Sequence, residues 1–436
     1  MTSEKILLRR GLLVTPHQPG KVKKEDLHRA DLRIAGGVIE EVSEELIATG
    51  DETIIEAHDM LITPGLIDIH THLRDLNQAG KETIETGTKA AAAGGFTTVI
   101  SMANTDPPTD TPRIFSIIKD KIEASACIRV LPLAAVTLGL KGEQLTEMSQ
   151  LADMGAVAFS DDGMPLHNLA VMARGLQYAK MLNKTIISHP EDHALSRKGC
   201  MHDSHFATRM GLEGIPSVSE SACIAREIEV VRAVGGRLHF AHVSTSEAVQ
   251  LIKRAKEDGL SVTAEVSPHH ITLADEDIRD FDTRFKMNPP LRSKNDQNTL
   301  VQALKDGIFD AIATDHAPHT KQEKSQAFAN APFGIIGLET AFSVVYERLV
   351  REKHLTINEL IYLLTSGPAS VIGLPDPALA VGSRADVAII NPHKDWTYQT
   401  AKGFSKSTNS PYDGVTLSAK VIATIANGKI VYQDRL

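Results

Sequence analysis

From about residue 64 to 365, short runs of aliphatic and β-branched residues alternate with longer stretches whose apolar positions recur every three to four residues. That beat predicts repeated strand–helix units around a parallel sheet. Strands are predicted at Leu66–His70, Thr97–Met102, Arg129–Ala135, Ala156–Ser160, Thr185–His189, Leu238–Val243, Ser261–Val266 and Ala311–Thr314. Helical spacing fills 82–93, 111–125, 143–153, 168–182, 219–234, 246–258 and 297–306, with 338–351 after the last strand. Eight strands, each followed by a helix, is the count of an α/β fold of the (β/α)8 TIM-barrel type. A doubly wound sheet needs a phosphate-binding glycine turn after its first strand. That position holds Ile69-His70-Thr71-His72-Leu73-Arg74 instead.

The two ends differ in texture. Ile6–Val14, Ala30–Ile34, Val38–Val42 and Thr53–Glu56 read as short strands, as do Asp386–Ile390, Val415–Leu417, Val421–Ala426 and Lys429–Tyr432, with Asn427-Gly428 as a hairpin turn. Neither end has enough strands for a stable sheet, so residues 1–63 and 371–436 are expected to build one small β-sandwich beside a barrel of residues 64–370.

Composition narrows the function. The 436 residues are 42% hydrophobic, enough for a large core, and the net charge of −9, with no basic cluster, argues against a nucleic-acid partner. Cys127, Cys200 and Cys223 are too scattered for a disulfide framework or a thiolate zinc site. The opening residues, Met1 to Arg10, lack the apolar core of a signal peptide, and no apolar run is long enough to span a membrane. A cytoplasmic protein is expected.

Strand side chains alternate faces, so His70 and His72 project together from the first strand end, where two imidazoles can grip one ion. Arg74 continues the row and suits a carboxylate or phosphate. An isolated His-x-His is more often structural than a ligand pair. Here the other strand ends supply partners: Asn104 after the second, Asp161-Asp162 after the fourth, His189 after the fifth, His242 after the sixth, His269-His270 after the seventh and Asp315 after the eighth. Barrel active sites lie at those ends. Imidazole and carboxylate ligands without thiolates suit zinc first, and the surplus of ligands over one tetrahedral site suggests two ions sharing a carboxylate. Such a centre activates water for attack on an amide-like carbonyl, or runs the reverse. Spacing does not choose between Asp161 and Asp162.

The motifs resemble the amidohydrolase superfamily and, more narrowly, the bacterial class I dihydroorotases. The resemblance is carried by His70-Thr71-His72-Leu73-Arg74, Phe159-Ser160-Asp161-Asp162-Gly163, His242-Val243-Ser244-Thr245, Lys286-Met287-Asn288-Pro289-Pro290-Leu291-Arg292, Ala313-Thr314-Asp315-His316-Ala317-Pro318-His319 and Ala331-Pro332-Phe333-Gly334. It implies His70, His72, Asp162, His189, His242 and Asp315 as ligands of one or two Zn2+ ions, with Asp162 standing where other members carry a carboxylated lysine. It also implies substrate contacts at Arg74, Asn104, Asn288 and His319 and through backbone near Pro332 and Gly334. The implied reaction is the reversible cyclisation of N-carbamoyl-L-aspartate to L-dihydroorotate, the third step of pyrimidine synthesis, with Asp315 shuttling the proton. A homodimer and an association with aspartate transcarbamoylase come with the family. Three departures flank ligands without replacing them: Asp75-Leu76-Asn77 for the usual Glu-Pro-Gly, Met102-Ala103-Asn104 for Met-Pro-Asn, and His189-Pro190-Glu191 for His-Cys-Glu. The rival readings are another cyclic amidase, such as an allantoinase or dihydropyrimidinase, and a non-catalytic scaffold for the transcarbamoylase.

His269 and His270 are expected to support the site rather than act in it, and His316 to face away from it. His17, His28, His58, His167, His193, His202, His205, His239, His354 and His393 read as surface or core residues. Residues 320–333 have the composition of a lid and equally of a solvated loop.

Overall fold

The computed structural model describes residues 5–21 and 26–434; Met1–Glu4 of the opening segment lie outside them. Eight parallel strands form the barrel: Leu66–Thr71, Phe96–Ser101, Arg129–Pro132, Phe159–Ser160, Thr185–Ser188, Arg237–Phe240, Val262–Val266 and Ala311–Ile312. Their hydrogen-bonded ladders join the first to the third and the fourth to the eighth. Parallel bridges at Ala134–Phe159 and Thr71–His316 close the ring.

Small and branched side chains fill the barrel interior, among them Ile69, Ile100, Ala135, Ala158, Ile187, Ala241 and Ala313, and the helix Ser366–Ile372 packs against them through Ala369, Val371 and Ile372. A second, larger apolar layer separates strands from the outer helices. Those helices begin where short polar side chains can cap them. Thr83, Thr111, Thr245 and Ser293 each accept the backbone N–H of the third residue of the helix that follows.

The terminal segments join into one eight-stranded sheet in which Leu61–Pro64, from the N-terminal part, pairs with Val387–Asn391 from the C-terminal part. Ile6–Val14 pairs with Thr53–Glu56 through its first half and with Leu61–Ile62 through its second, with a bulge between Leu8 and Gly11. Ile6, Leu8, Leu32, Ile34, Ile55, Val387, Ile389 and Ile425 form its separate core. Residues 396–417 do not stay in this sheet. They form a two-stranded pair of their own and then run across the barrel mouth. Among the described residues no helix is long and apolar enough to cross a membrane.

Candidate metal centre

Six of the side chains singled out in the sequence converge at the C-terminal mouth of the barrel. His70, His72 and Asp162, then His70, His242 and Asp315, then Asp162, His189 and His242 each present three ligand atoms within 4.8 Å of one another. All six residues are buried. His70 Nε2 stands 3.4 Å from Asp162 Oδ1 and 3.5 Å from Asp315 Oδ1; His72 Nε2 stands 3.0 Å from Asp315 Oδ1. His189 Nδ1 faces His242 Nε2 at 2.9 Å and Asp162 Oδ1 at 3.6 Å.

Two observations test whether a cation fits. His70 Nε2 and Asp162 Oδ1 face each other in the interior, yet neither makes a hydrogen bond. Buried polar atoms without partners are rare, and a shared cation satisfies both. The second observation is electrostatic. Burial acts to raise the Asp162 carboxyl, but His70, His189 and His242 around it hold it well below the usual carboxylate range. Burial likewise opposes charge on His189, and the Asp162 and Glu191 carboxylates override it, raising the imidazole to about 10. Acids so placed draw positive charge to the centre, as a proton or as a divalent ion.

The strand tips that bring these groups together are locally strained. His242 and Asp315 have φ of 33° and 46°, and Arg74 beyond the first strand has 59°. Side-chain oriented residues in this region cost energy that the surrounding packing must hold in place. Around Asp315 that support includes Asp68, which accepts from Thr314 N at 3.1 Å and ties the eighth strand to the first.

Asp161 and Asp162 part company. Asp161 turns away and accepts from Val136 N at 2.7 Å, Thr137 N at 3.0 Å and the Thr137 hydroxyl, fixing the loop after the third strand. Asp162 alone enters the cluster. His316 faces the other side, with Nε2 3.2 Å from Glu82 and Nδ1 accepting from Gly337 N at 3.2 Å. His269 and His270 lie buried on the short helix Pro268–Thr272 and join none of the three ligand groups.

The expected substrate contacts form a rim. Arg74 donates from Nε to Pro318 O at 3.2 Å and lies 3.4 Å from His319 Nε2. Asn104 is already engaged: Oδ1 lies 2.9 Å from His72 Nδ1 and Nδ2 donates to Asp162 Oδ2 at 3.0 Å, so it orients two cluster residues. Asn288 donates to Glu191 Oε2 at 2.9 Å. The Pro332 and Gly334 carbonyls both accept from Lys324. Gly334 sits at φ 151°, and a Cβ there would come within 2.7 Å of the His319 ring, so no larger residue fits.

Three residues that hold the site escaped the reading of the sequence. Glu265 places one carboxylate oxygen 2.8 Å from His70 Nδ1 and the other 3.1 Å from His239 Nε2, which fixes the His70 ring with Nε2 toward the cluster. Its signal was a lone charged residue in the otherwise uncharged strand Val262–Val266. Glu191 does the same for His189 at 3.0 Å. Asn409 arrives from the C-terminal segment to accept from His319 N and to donate to the Ala317 and Gly334 carbonyls, at 3.2, 3.0 and 3.0 Å. Nothing local in the sequence announces it.

Comparison with known proteins shows the family and the fold. Residues 59–248 match a family described as dihydro-orotase-like, and residues 218–432 match the amidohydrolase family. A dihydroorotase of Caldanaerobacter subterraneus is 45% identical, over 93% of this chain and 94% of its own. One from Pelotomaculum thermopropionicum is 44% identical over 99% of both chains. Among solved structures, an L-hydantoinase (dihydropyrimidinase) from Arthrobacter aurescens superposes with a TM-score of 0.88 over 98% of this chain and 96% of its own, at 24% identity, a likeness of barrel and β-domain alone. By its sequence relatives, the chain belongs to the dihydroorotase family of amidohydrolases.

Proposed function

We propose that this protein interconverts N-carbamoyl-L-aspartate and L-dihydroorotate at a centre of two zinc ions held by His70, His72, Asp162, His189, His242 and Asp315. Amidohydrolases are metal-dependent, and the dihydroorotase relatives support the substrate. The observation that carries the reading is the meeting of His70 Nε2 and Asp162 Oδ1, both buried and both without a hydrogen bond, amid four imidazoles and two carboxylates. A divalent ion bound there supplies Lewis acidity and makes water nucleophilic at neutral pH.

The chain's own residues then divide the work. Arg74, beside His319, receives the substrate's side carboxylate with its guanidinium. Asn104 keeps His72 and Asp162 in register. In ring opening Asp315 accepts the proton of the attacking water and passes it to the departing ring nitrogen; in ring closure it runs the steps backward. Burial acts to raise its carboxyl, and His70 and His72 hold it below the usual range, so it starts as the base. Asp162, with three imidazoles about it and its carboxyl held ionised, would be among the residues that hold the metal.

We extend the reading to a cytoplasmic homodimer that can associate with aspartate transcarbamoylase, which size-exclusion chromatography with and without the transcarbamoylase tests. The decisive measurement is zinc per chain together with dihydroorotate turnover. Two zinc ions and turnover in the wild type, both lost in Asp162→Ala, are expected; a metal-free wild type that still turns over dihydroorotate would overturn the proposal.

A further inference from the structure

After the eighth barrel strand the chain from Thr320 to Gly334 returns to Lys286 and His319, with Gly334 N donating to Lys286 O at 2.9 Å. It opens with the one-turn helix Lys321–Lys324, closed by reciprocal bonds between Thr320 and Glu323. The last residue of that helix turns inward. Lys324 is 7% exposed, and its Nζ donates to the carbonyls of Pro332 and Gly334, each at 3.0 Å. A second lysine does likewise. Lys286 is 2% exposed, and its Nζ donates to Phe328 O at 2.6 Å and Ala329 O at 3.0 Å, with its ammonium 4.6 Å from the centre of the Phe333 ring.

Among the described residues neither lysine is hydrogen-bonded to a carboxylate; the charged groups facing Lys324 are Lys286 and Asp282. Burial, then the neighbouring Lys286, lowers the Lys324 ammonium to about 7. Two buried like charges are a costly way to pin a loop that apolar side chains would pin more cheaply. The cost falls beside the rim. The Gly334 carbonyl that Lys324 holds belongs to the residue pressed against His319, and His319 Nε2 lies 3.4 Å from Arg74. Loop, imidazole and guanidinium are thus in contact one after the next, with two buried lysines behind them.

We infer that Lys324 and Lys286 are positioning residues: they hold the 327–334 backbone against His319, and their charge biases the rim toward a cyclic amide that carries a carboxylate. This rests on the reading of the rim as the seat of the substrate carboxylate. Residues 320–333 are accordingly a pinned wall of the site rather than a solvated loop.

The test is the split between KM and kcat for dihydroorotate in the zinc-replete full-length enzyme. Lys324→Met keeps the length of the side chain and removes charge and donors. Its KM should rise by about tenfold or more while kcat stays within about threefold, the pattern of a lost binding contact. Its melting temperature reads the cost to the fold separately, since the carbonyls that Lys324 satisfies lose their donor. Lys286→Met should shift KM in the same direction. A KM within about twofold of wild type in both variants would overturn the inference. So would failure of both variants and of Lys324→Gln to fold, because the ammoniums would then serve stability alone. A wild-type enzyme that does not turn over dihydroorotate would sink the functional reading and this inference with it, whereas an active wild type with unaltered variants sinks only this one.

Discussion

Two adjacent aspartates with opposite surroundings give the sharpest contrast at the scale of single residues. Asp161 satisfies two backbone N–H groups and a hydroxyl, whereas Asp162 has a buried oxygen that nothing in the chain satisfies. Asp161→Asn should therefore cost about 1–3 kcal/mol of stability through its caps, with zinc content unchanged. Asp162→Ala should lower metal affinity by more than the about 10–100-fold typical of a residue that only supports a ligand. Thermal melting beside metal analysis separates them; equal zinc loss in both variants would contradict the division. Glu265 occupies the middle ground. It touches His70 without joining the ligand groups, so Glu265→Gln should weaken zinc binding by about 10–100-fold, read by competition with a chelator of known affinity. The candidate ligands were legible because strand alternation and strand ends say where a side chain points. The choice between Asp161 and Asp162 was not, because a one-residue difference at a strand tip depends on which backbone amides the next loop turns inward.

Most helices of the barrel were legible nearly to the residue, although the predicted 143–153 shortens to Met148–Asp153. The predicted helix 219–234 stands at Val218–Val234 and the predicted 246–258 at Ser246–Glu257. Strand ends were less so. The third strand, expected to reach Ala135, leaves its ladder at Pro132, and the fourth begins at Phe159 rather than Ala156. Beyond those points only isolated bonds such as Ser160 N to Ala134 O continue the pairing while the apolar side chains run on, so hydrophobicity overstates the length of the regular ladder. Least legible was the segment that leaves the terminal sheet. Ser405 and the Lys406 amide bind Glu82, Asn409 binds around His319, and Phe404 N donates to Glu339 at 3.0 Å. These contacts span tens to hundreds of residues, and no periodicity records them. Glu339 makes this crossing sensitive to pH. Burial raises its carboxyl from 4.5 to about 7, against the two amides that favour the ionised form, and Glu82 adds to the rise. Between those values the folded chain binds more protons than the unfolded one, so this group's contribution to stability falls as pH rises from 4.5 to 7. Glu339→Gln should remove that slope, and urea midpoints of both proteins across the window should diverge increasingly toward pH 7; parallel curves would show that the carboxyl ionises at no cost.

For the whole molecule, the long-range ties and the convergent ligands make one claim: six side chains from five strand tips form a single centre. Removing the ion should then act at every tip together. Dialysis against a chelator should abolish turnover and lower the melting temperature, since a ligand that binds only the folded state stabilises it by mass action, and zinc should restore both. The direction of catalysis gives a further check that involves no mutation. Closing the ring turns a carboxylate into a neutral imide and consumes one proton. Near neutrality the equilibrium ratio of dihydroorotate to carbamoyl-aspartate should therefore rise about tenfold for each unit of pH lost, as one bound proton requires. Incubating the zinc-loaded enzyme from either substrate at pH 6, 7 and 8 should bring both reactions to the same ratio at each pH, with that spacing between them. Failure of the two directions to meet, or a ratio indifferent to pH, would mean that the centre acts on a different ring.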